Sequence, residues 1–206
     1  MIRAAVRALG CFAVFWAHAW AQGLDVMFVL ETSPGTEQQI GLIRARDLKE
    51  GDRAGVIGYA RSVYLLQALT EDRQALARAL QQAGTRISIG AHFQAVPRAT
   101  VDLSGALRQA FHEFGDAGSE ERKRAVVVLV ANEDPTLGGN LDSLETLARA
   151  SRARIFAVAI TGVSGRSYSF PVMTAQFLNQ LAKDSGGRVF RGGWDLKSIL
   201  AAARKP

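Results

Sequence analysis

Four apolar runs that lack polar alternation restrict the fold of this chain more than any other feature. They are rich in Val, Ile, Leu and Phe, and the only charged residue among them is Asp25. Strands that are buried on both faces of a parallel sheet have this composition, whereas half-buried strands alternate apolar and polar residues. The runs span residues 24–30, 54–59, 125–131 and 155–161.

The segments between these runs carry apolar residues at helical spacing. Each such stripe predicts a helix that packs one face against the sheet. The stripes comprise Leu76, Ala79, Leu80 and Ala83; Leu103, Ala106, Leu107, Ala110, Phe111 and Phe114; and Leu196, Ile199, Leu200 and Ala203. Three further helices are predicted over residues 38–48, 141–150 and 174–183, the last ending at Gly186 and Gly187.

A fifth apolar segment, residues 63–69, follows the second run after only three residues. Such a short link cannot contain a crossover helix, so these two strands are expected to form an antiparallel hairpin. The alternation of strands and helices elsewhere predicts an α/β fold. We therefore expect a doubly wound, mostly parallel sheet with helices on both faces and one antiparallel hairpin strand.

The first 21 residues have the pattern of a secretory signal peptide. Arg3 and Arg7 precede an apolar run over residues 8–17, and Ala19 and Ala21 supply small residues at cleavage spacing. The run is shorter than the roughly 20 residues that a membrane-spanning helix needs. We expect residues 1–21 to be removed and residues 22–206 to form one domain, which is secreted or periplasmic. Cleavage also removes Cys11, the only cysteine, which excludes thiol chemistry in the mature protein.

The charge of the chain gives no sign of a nucleic-acid partner. Loss of Arg3 and Arg7, with no acidic residue, lowers the formal net charge from +6 to +4. The basic residues are scattered and are not interleaved with aromatic residues, so we interpret them mainly as solvated helix faces. They include Arg44, Arg46, Arg73, Arg78, Arg122, Arg124 and Arg152.

Ligands of doubly wound folds bind at the carboxyl ends of the parallel strands, and here the sequence resembles a known family. Residues 26–36, VMFVLETSPGT, resemble the first strand and loop of a von Willebrand factor type A (VWA) domain, especially of the bacterial secreted members. Further similar segments follow in the same order: LKEGDR at 48–53, LTED at 69–72, Thr100, and LAKDSGG at 181–187. The resemblance covers residues 23–203 and implies a Rossmann-like three-layer sandwich that binds another protein.

The resemblance also implies a metal-ion-dependent adhesion site, but three of its five positions differ here. The family places an Asp-x-Ser-x-Ser loop after the first strand, a Thr before the third long helix, and an Asp after the fourth strand. Ser33 and Thr100 match this pattern. Glu31 replaces the first Asp, Gly35 replaces the second Ser, and Ala131 stands where the last Asp is expected.

These substitutions predict that the metal site is largely lost and that no cofactor is bound. Mg²⁺ requires near-ideal octahedral geometry, so a longer carboxylate and a missing hydroxyl both disfavour it. If an ion binds to Glu31, Ser33 and Thr100, the looser geometry of Ca²⁺ or Mn²⁺ fits better. Glu133 and Asp134 either turn inward towards such an ion or remain solvated loop acids.

The sequence contains no recognisable catalytic motif. A nucleophile elbow and a dinucleotide-binding glycine fingerprint are both missing. His112 is expected at the surface of a helix. A hydrolase that combines Glu31 with His92 would require these two groups within hydrogen-bond reach, and it is the remotest of our hypotheses.

Two long segments at the ligand-binding end carry apolar and aromatic residues. Residues 84–99 are predicted to form a loop that contains Ile87, Ile89, His92 and Phe93, and residues 162–173 a loop that contains Tyr168, Phe170, Pro171 and Met173. These residues either pack back onto the domain or form a rim that contacts a partner.

We favour an exported, non-enzymatic protein-binding domain whose contacts come from His92, Phe93, Tyr168 and Phe170. The alternative is a structural or accessory subunit that docks onto an envelope assembly through its helix faces. The sequence does not decide the oligomeric state.

Overall fold

The predicted buried strands form a single six-stranded sheet in the computed structural model, which describes residues 23–91, 101–116, 122–160 and 172–205. The strand order is β3-β2-β1-β4-β5-β6. Only β2 and β3 pair in antiparallel fashion, which confirms the predicted hairpin. The strands are β1 (Leu24–Glu31), β2 (Arg53–Tyr59), β3 (Val63–Thr70), β4 (Lys123–Val130), β5 (Ala153–Ala159) and β6 (Arg188–Arg191).

Six α-helices flank this sheet in the described part of the chain. They are α1 (Glu37–Ile40), α2 (Arg73–Ala91), α3 (Leu103–Asp116), α4 (Leu141–Ser151), α5 (Val172–Asp184) and α6 (Leu196–Ala203). Two short 3₁₀ helices lie at Ala45–Asp47 and Gly138–Asn140. Gly186, just after α5, has a φ of +74°. The helix therefore ends in the left-handed conformation that the sequence predicted.

The sheet separates two hydrophobic cores. Alternate residues of β1 enter opposite cores: Phe28 packs with α1, α2 and α6, whereas Val29 packs with α3, α4 and α5. All eight residues of β1 are buried. This three-layer arrangement is the predicted α/β sandwich, and it explains why the apolar runs lack polar alternation.

Two predicted elements differ from the observed ones. The helix expected over residues 38–48 is only the four-residue α1 followed by a 3₁₀ turn. Its core contacts come from Ile40, Ile43 and Leu48, which do not form a continuous helical stripe. In contrast, α2 continues to Ala91, so residues 84–91 are helical and not part of a loop. A side chain at Gly84 would meet open space, so this glycine lies at an unpacked position of the helix, where it is tolerated.

Two of the arginines that were interpreted as solvated helix residues are instead part-buried at the sheet. Arg122 Nε donates to the carboxylate of buried Asp25 at 2.6 Å, and Arg53 Nη2 donates to the same carboxylate at 2.6 Å. Arg124, in β4, donates to the carbonyl oxygen of Ser151. The polar exception in the first apolar run, Asp25, is thus neutralised by two guanidinium groups, as a buried carboxylate requires.

The predicted signal peptide, residues 1–21, lies outside the described residues. Within the described ranges, no helix combines the length and the apolar character that a membrane crossing requires.

Candidate functional site

The carboxyl ends of the three central strands place Glu31 beside the chain segment that follows β4. Glu31 is the last residue of β1 and lies opposite Tyr59, the last residue of β2. On its other side, β1 pairs with β4, which ends at Val130. The chain segment that follows β4 therefore passes next to Glu31.

The Glu31 carboxylate bridges the ends of β1 and β4. The side chain is fully buried. Its Oε2 atom accepts hydrogen bonds from the backbone N–H groups of Ala131 at 2.7 Å and Asn132 at 3.0 Å. Its Oε1 atom accepts a hydrogen bond from the side-chain amide of Asn132. Charge-assisted bonds of this kind are roughly twice as strong as neutral ones, so Glu31 anchors the loop after β4.

Asn132 contacts Glu31 and was not singled out in the sequence analysis. Ala131 was taken as the counterpart of the family's last Asp, but only its backbone N–H contacts Glu31. The side chain that faces Glu31 is that of Asn132, one residue further along. The polar run Asn132-Glu133-Asp134 directly after a buried strand was the available signal for this contact.

The loop after β1 is closed by the hydroxyl group of Thr36. This buried hydroxyl donates to the carbonyl oxygens of Glu31 at 2.7 Å or Ser33 at 2.8 Å. Gly35 has a φ of +93°, a conformation that side-chain-bearing residues rarely adopt. The glycine that replaces the family's second Ser thus fits the turn, and a serine would be strained there. Ser33 is buried in the same loop.

A second buried carboxylate, that of Asp134, ties α3, α5 and the turn at Thr136 to this end of the sheet. Its Oδ2 atom accepts from the backbone N–H and the hydroxyl of Ser104, both at 2.9 Å, and its Oδ1 atom accepts from the backbone N–H and hydroxyl of Thr136, both at 2.7 Å. Its own N–H donates to Thr174. The interpretation of Asp134 as a solvated loop acid is therefore wrong, whereas Glu133 is exposed as that interpretation required.

The negative charges of the two buried acids, Glu31 and Asp134, both act on Tyr59. Its hydroxyl donates to the carbonyl oxygen of Leu129 at 2.9 Å and lies 3.5 Å from Glu31 Oε2. Burial raises the pKa of Tyr59 well above its ordinary value, and the negative charges of Glu31 and Asp134 raise it further. Tyr59 is therefore a neutral hydrogen-bond donor at this site.

The groups that contact the Glu31 carboxylate are hydrogen-bond donors and not metal ligands. A divalent cation needs the lone pairs of several oxygen ligands, but here N–H donors contact both oxygens of the Glu31 carboxylate. Within the described ranges, no three acidic, histidine or cysteine side chains come together as a metal cluster. The described residues at this position do not fit the metal of the family's adhesion site.

The remaining predicted residues divide into described and undescribed ones. Thr100, His92, Phe93, Tyr168 and Phe170 lie outside the described residues. Met173 is described; it lies in the first turn of α5 and its side chain is 56% exposed. His112 is exposed on α3, as predicted.

Comparisons with known proteins give structural likeness only. No protein-family model and no curated protein matches the sequence. The crystal structure of BatB, a conserved hypothetical protein from Bacteroides thetaiotaomicron, is 16% identical with a TM-score of 0.62, over 88% of this chain and 96% of that one. An aerotolerance-related membrane protein from Bacteroides fragilis is 17% identical with a TM-score of 0.60, over 88% and 98%.

A third similar structure carries the name of the fold. The SpRpn10 VWA domain is 13% identical with a TM-score of 0.56, over 87% of this chain and 94% of that one. The likeness spans nearly the whole of each domain, and the mostly parallel sheet with its single antiparallel pair agrees with the expectation from sequence. The chain therefore has a von Willebrand factor type A-like fold.

Proposed function

We propose that this chain is an exported, non-enzymatic domain that binds another protein at the carboxyl-end face of its sheet without a bridging metal ion. The observation that carries this proposal is the hydrogen bonding of Glu31, whose carboxylate accepts bonds from two backbone amides and the side chain of Asn132.

The chemistry of the pair Glu31–Asn132 supports recognition without metal. Two facing carboxylates repel each other and need a cation between them, which is the arrangement that the VWA family uses to hold a partner's acidic group. A carboxylate and an amide bond directly and need no cation. Since the ion would also have supplied the binding contact, its loss leaves recognition to direct contacts from the surrounding rim.

The residues around the carboxyl-end face favour the binding of a protein. They favour neither the binding of a small molecule nor catalysis. Met173 exposes an apolar side chain beside the buried acids, since the neighbouring Thr174 accepts a hydrogen bond from Asp134. We assign the remaining contacts to the aromatic residues Tyr168 and Phe170 and to His92 with Phe93. Exposed apolar groups on this face contribute to protein interfaces by burial.

Export is the second part of the proposal. It rests on the signal-peptide pattern of residues 1–21. One of the structurally similar proteins is named an aerotolerance-related membrane protein, which agrees with a location at the cell envelope.

Calorimetric titration of the metal-free protein with Mg²⁺, Mn²⁺ and Ca²⁺ tests the loss of the metal site. We expect no binding heat and no change in melting temperature. The Asn132→Asp variant is the matched control: facing carboxylates lower its melting temperature in the absence of ions, and a divalent ion restores it. Micromolar ion binding by the unaltered protein, abolished by Thr100→Ala, would show that the metal site is functional and that the proposal is wrong.

Capture of a partner from envelope extract tests the binding face. We expect capture to be equal in EDTA and in Mg²⁺, and to be lost in a Tyr168→Ala, Phe170→Ala double variant. Capture that survives this double variant but is lost on substitution of exposed helix residues would instead identify an accessory subunit that docks through its helix faces.

A further inference from the structure

Basic side chains that are scattered in the sequence come together where the parallel strands β4, β5 and β6 begin. β4 and β5 start side by side, with Arg124 opposite Ala153, and α4 and α5 end directly before β5 and β6. The C-terminus of α6 reaches the same end of the sheet, because Arg154 donates to the carbonyl oxygen of Ala202. We call this region the basic surface. Among the described residues it comprises eight, namely Lys123, Arg124, Arg149, Arg152, Arg154, Lys183, Arg188 and Lys205.

The acids near the basic surface balance only a small part of its charge. Two described acids lie among its residues: Glu145, which pairs with Arg149 at 3.3 Å, and Asp184. The neighbouring Asp25 and Asp52 are already paired with arginines that do not belong to the basic surface. The eight basic side chains therefore exceed the acids that lie among them.

Helix ends account for the position of some of these cations but not for their number. Arg154 and Lys123 donate to carbonyl oxygens at the end of α6, and Arg124 donates to the carbonyl oxygen of Ser151 at the end of α4. The C-terminal end of a helix carries about half a negative charge, so α4, α5 and α6 together offset fewer than about two positive charges. The basic surface keeps a net positive charge after the helix ends and the acids are counted.

The charge is spread over the basic surface and is not gathered at one small site. A recess of about 230 Å³ between α4 and α5 is lined by Arg149, Arg152 and Arg154, but Glu145 and Asp184 line it as well. The two acids offset two of the three guanidinium groups in the recess. A single small anion therefore gains little there, whereas an extended anionic surface is attracted by all the cations at once.

The course of the chain favours a membrane as this extended anionic surface. Leu24, the first residue of β1, lies opposite Lys123 of the basic surface. The apolar run over residues 8–17 precedes Leu24 by only a short segment. During the proposed export, on which this inference rests, the basic surface therefore emerges next to the membrane that holds the apolar run. Clusters of Lys and Arg that lie close to a membrane are attracted to its anionic lipids.

We propose that the basic surface binds the anionic headgroups of a phospholipid membrane and thereby points the carboxyl-end face away from the membrane. The two faces lie at opposite ends of the same parallel strands. The carboxyl end exposes Glu37, Glu133 and Asp142, which an anionic membrane repels. Binding through the basic surface leaves the carboxyl-end face open to a partner.

Co-sedimentation with lipid vesicles tests the membrane as the ligand. Protein expressed from the full coding sequence should bind vesicles of equal parts phosphatidylglycerol and phosphatidylcholine about tenfold or more tightly than vesicles of phosphatidylcholine alone. A rise in salt from about 0.1 M to about 1 M should release the protein, because it shortens the Debye length from about 10 Å to about 3 Å. Equal binding to the two kinds of vesicle, or binding that salt does not weaken, overturns the proposal.

A triple charge reversal tests the basic surface itself. The variant Arg152→Glu, Lys183→Glu, Lys205→Glu should bind the anionic vesicles about tenfold or more weakly than the unaltered protein. All three side chains are exposed, so the melting temperature should change little. Anionic vesicle binding that persists at full strength in this variant overturns the proposal. So does a variant that loses binding to polyglutamate but not to the vesicles, because the basic surface would then serve a soluble acidic partner.

The matched control reverses three exposed charges at the opposite end of the sheet. The variant Arg61→Glu, Arg191→Glu, Lys197→Glu has the same net charge as the first triple variant and should bind the anionic vesicles like the unaltered protein. An equal loss of binding in both triple variants would show that net charge decides, and it overturns the proposal. Both variants keep residues 1–21, so their comparison depends neither on signal cleavage nor on partner capture at the carboxyl-end face.

Discussion

At the scale of single residues, the side-chain length of Glu31 determines what the site can do. Compared with aspartate, glutamate has one more methylene group, which disfavours the geometry of a metal site. In the observed site this extra length allows the carboxylate at the end of β1 to contact two backbone amides after β4. The two oxygens of this carboxylate hold the Ala131–Asn132 segment.

Glu31→Asp, which restores the residue type of the VWA family, is expected to destabilise the fold. The shorter side chain no longer reaches both backbone amides, so buried donors lose their acceptor, at a cost of about 1–3 kcal/mol. Urea unfolding measures the loss. Glu31→Gln, which keeps the length and one acceptor oxygen, is the control and should lose less. If Glu31→Asp and the unaltered protein are equally stable, the length of the Glu31 side chain does not contribute to stability.

Tyr59→Phe should have an effect that depends on pH. At neutral pH the variant loses the hydrogen bond to Leu129 and about 1 kcal/mol of stability. The pKa of Tyr59 is raised in the folded protein, so above its ordinary value of 10.0 the unfolded chain releases a proton that the folded chain retains. Stability that depends on the neutral hydroxyl therefore falls as pH rises through that value.

The measurement that checks the Tyr59 prediction is urea unfolding of both proteins at about pH 8 and about pH 11. The deficit of Tyr59→Phe should shrink or reverse at the higher pH. Other groups that titrate in this range are common to both proteins and cancel in the difference. A deficit that is the same at both pH values would show that Tyr59 titrates normally.

Residue-scale prediction from the sequence was partial for a physical reason. Glu31 and Ser33 could be located because they follow a strand within one short segment. The roles of Asn132 and Asp134 could not be predicted, because their hydrogen-bond partners Glu31 and Ser104 are distant in sequence. Side-chain reach across neighbouring strands is set by the register between them, and the pattern of apolar residues does not give it.

At the scale of elements, the sequence predicted the helices and strands that bury long apolar stripes. It gave wrong bounds for the elements whose position depends on only a few residues. The helices α3 to α6 and all five predicted strands are found, because each buries a continuous stripe or run. The segment around α1 was wrong because Ile40, Ile43 and Leu48 reach the core from a turn. The extent of α2 was wrong because Gly84 was treated as a helix end.

The C-terminal end of α4 gives a prediction at this scale. Arg152 caps this helix with a φ of +53°, and it is the only residue with positive φ, apart from glycines, in the described part of the chain. Left-handed backbone strains a residue that has a Cβ atom. Arg152→Gly should therefore raise stability by about 0.5–1 kcal/mol. Thermal melting checks this, with Arg149→Gly inside the helix as a control that should lower the melting temperature.

At the scale of the whole molecule, the two ends of the sheet use charge differently. At the end where the parallel strands begin, Asp25 and Asp52 pair with arginines, and Asp52 also accepts a hydrogen bond from the backbone N–H of Leu24. At the other end, Glu31 and Asp134 are held by hydrogen-bond donors. The first end is closed by ion pairs, and the second is the face at which we propose that recognition takes place.

The predicted signal cleavage after Ala21 gives a prediction for the whole molecule. Leu24, three residues further along the chain, is fully buried and its backbone N–H donates to Asp52. Intact mass of the exported protein should correspond to an N-terminus at Gln22. Ala21→Arg replaces the small residue that the cleavage site requires and should leave the precursor uncleaved and attached to the membrane. Export of Ala21→Arg with an unchanged N-terminus would show that cleavage occurs elsewhere, and a precursor mass for the unaltered protein would favour an uncleaved anchor.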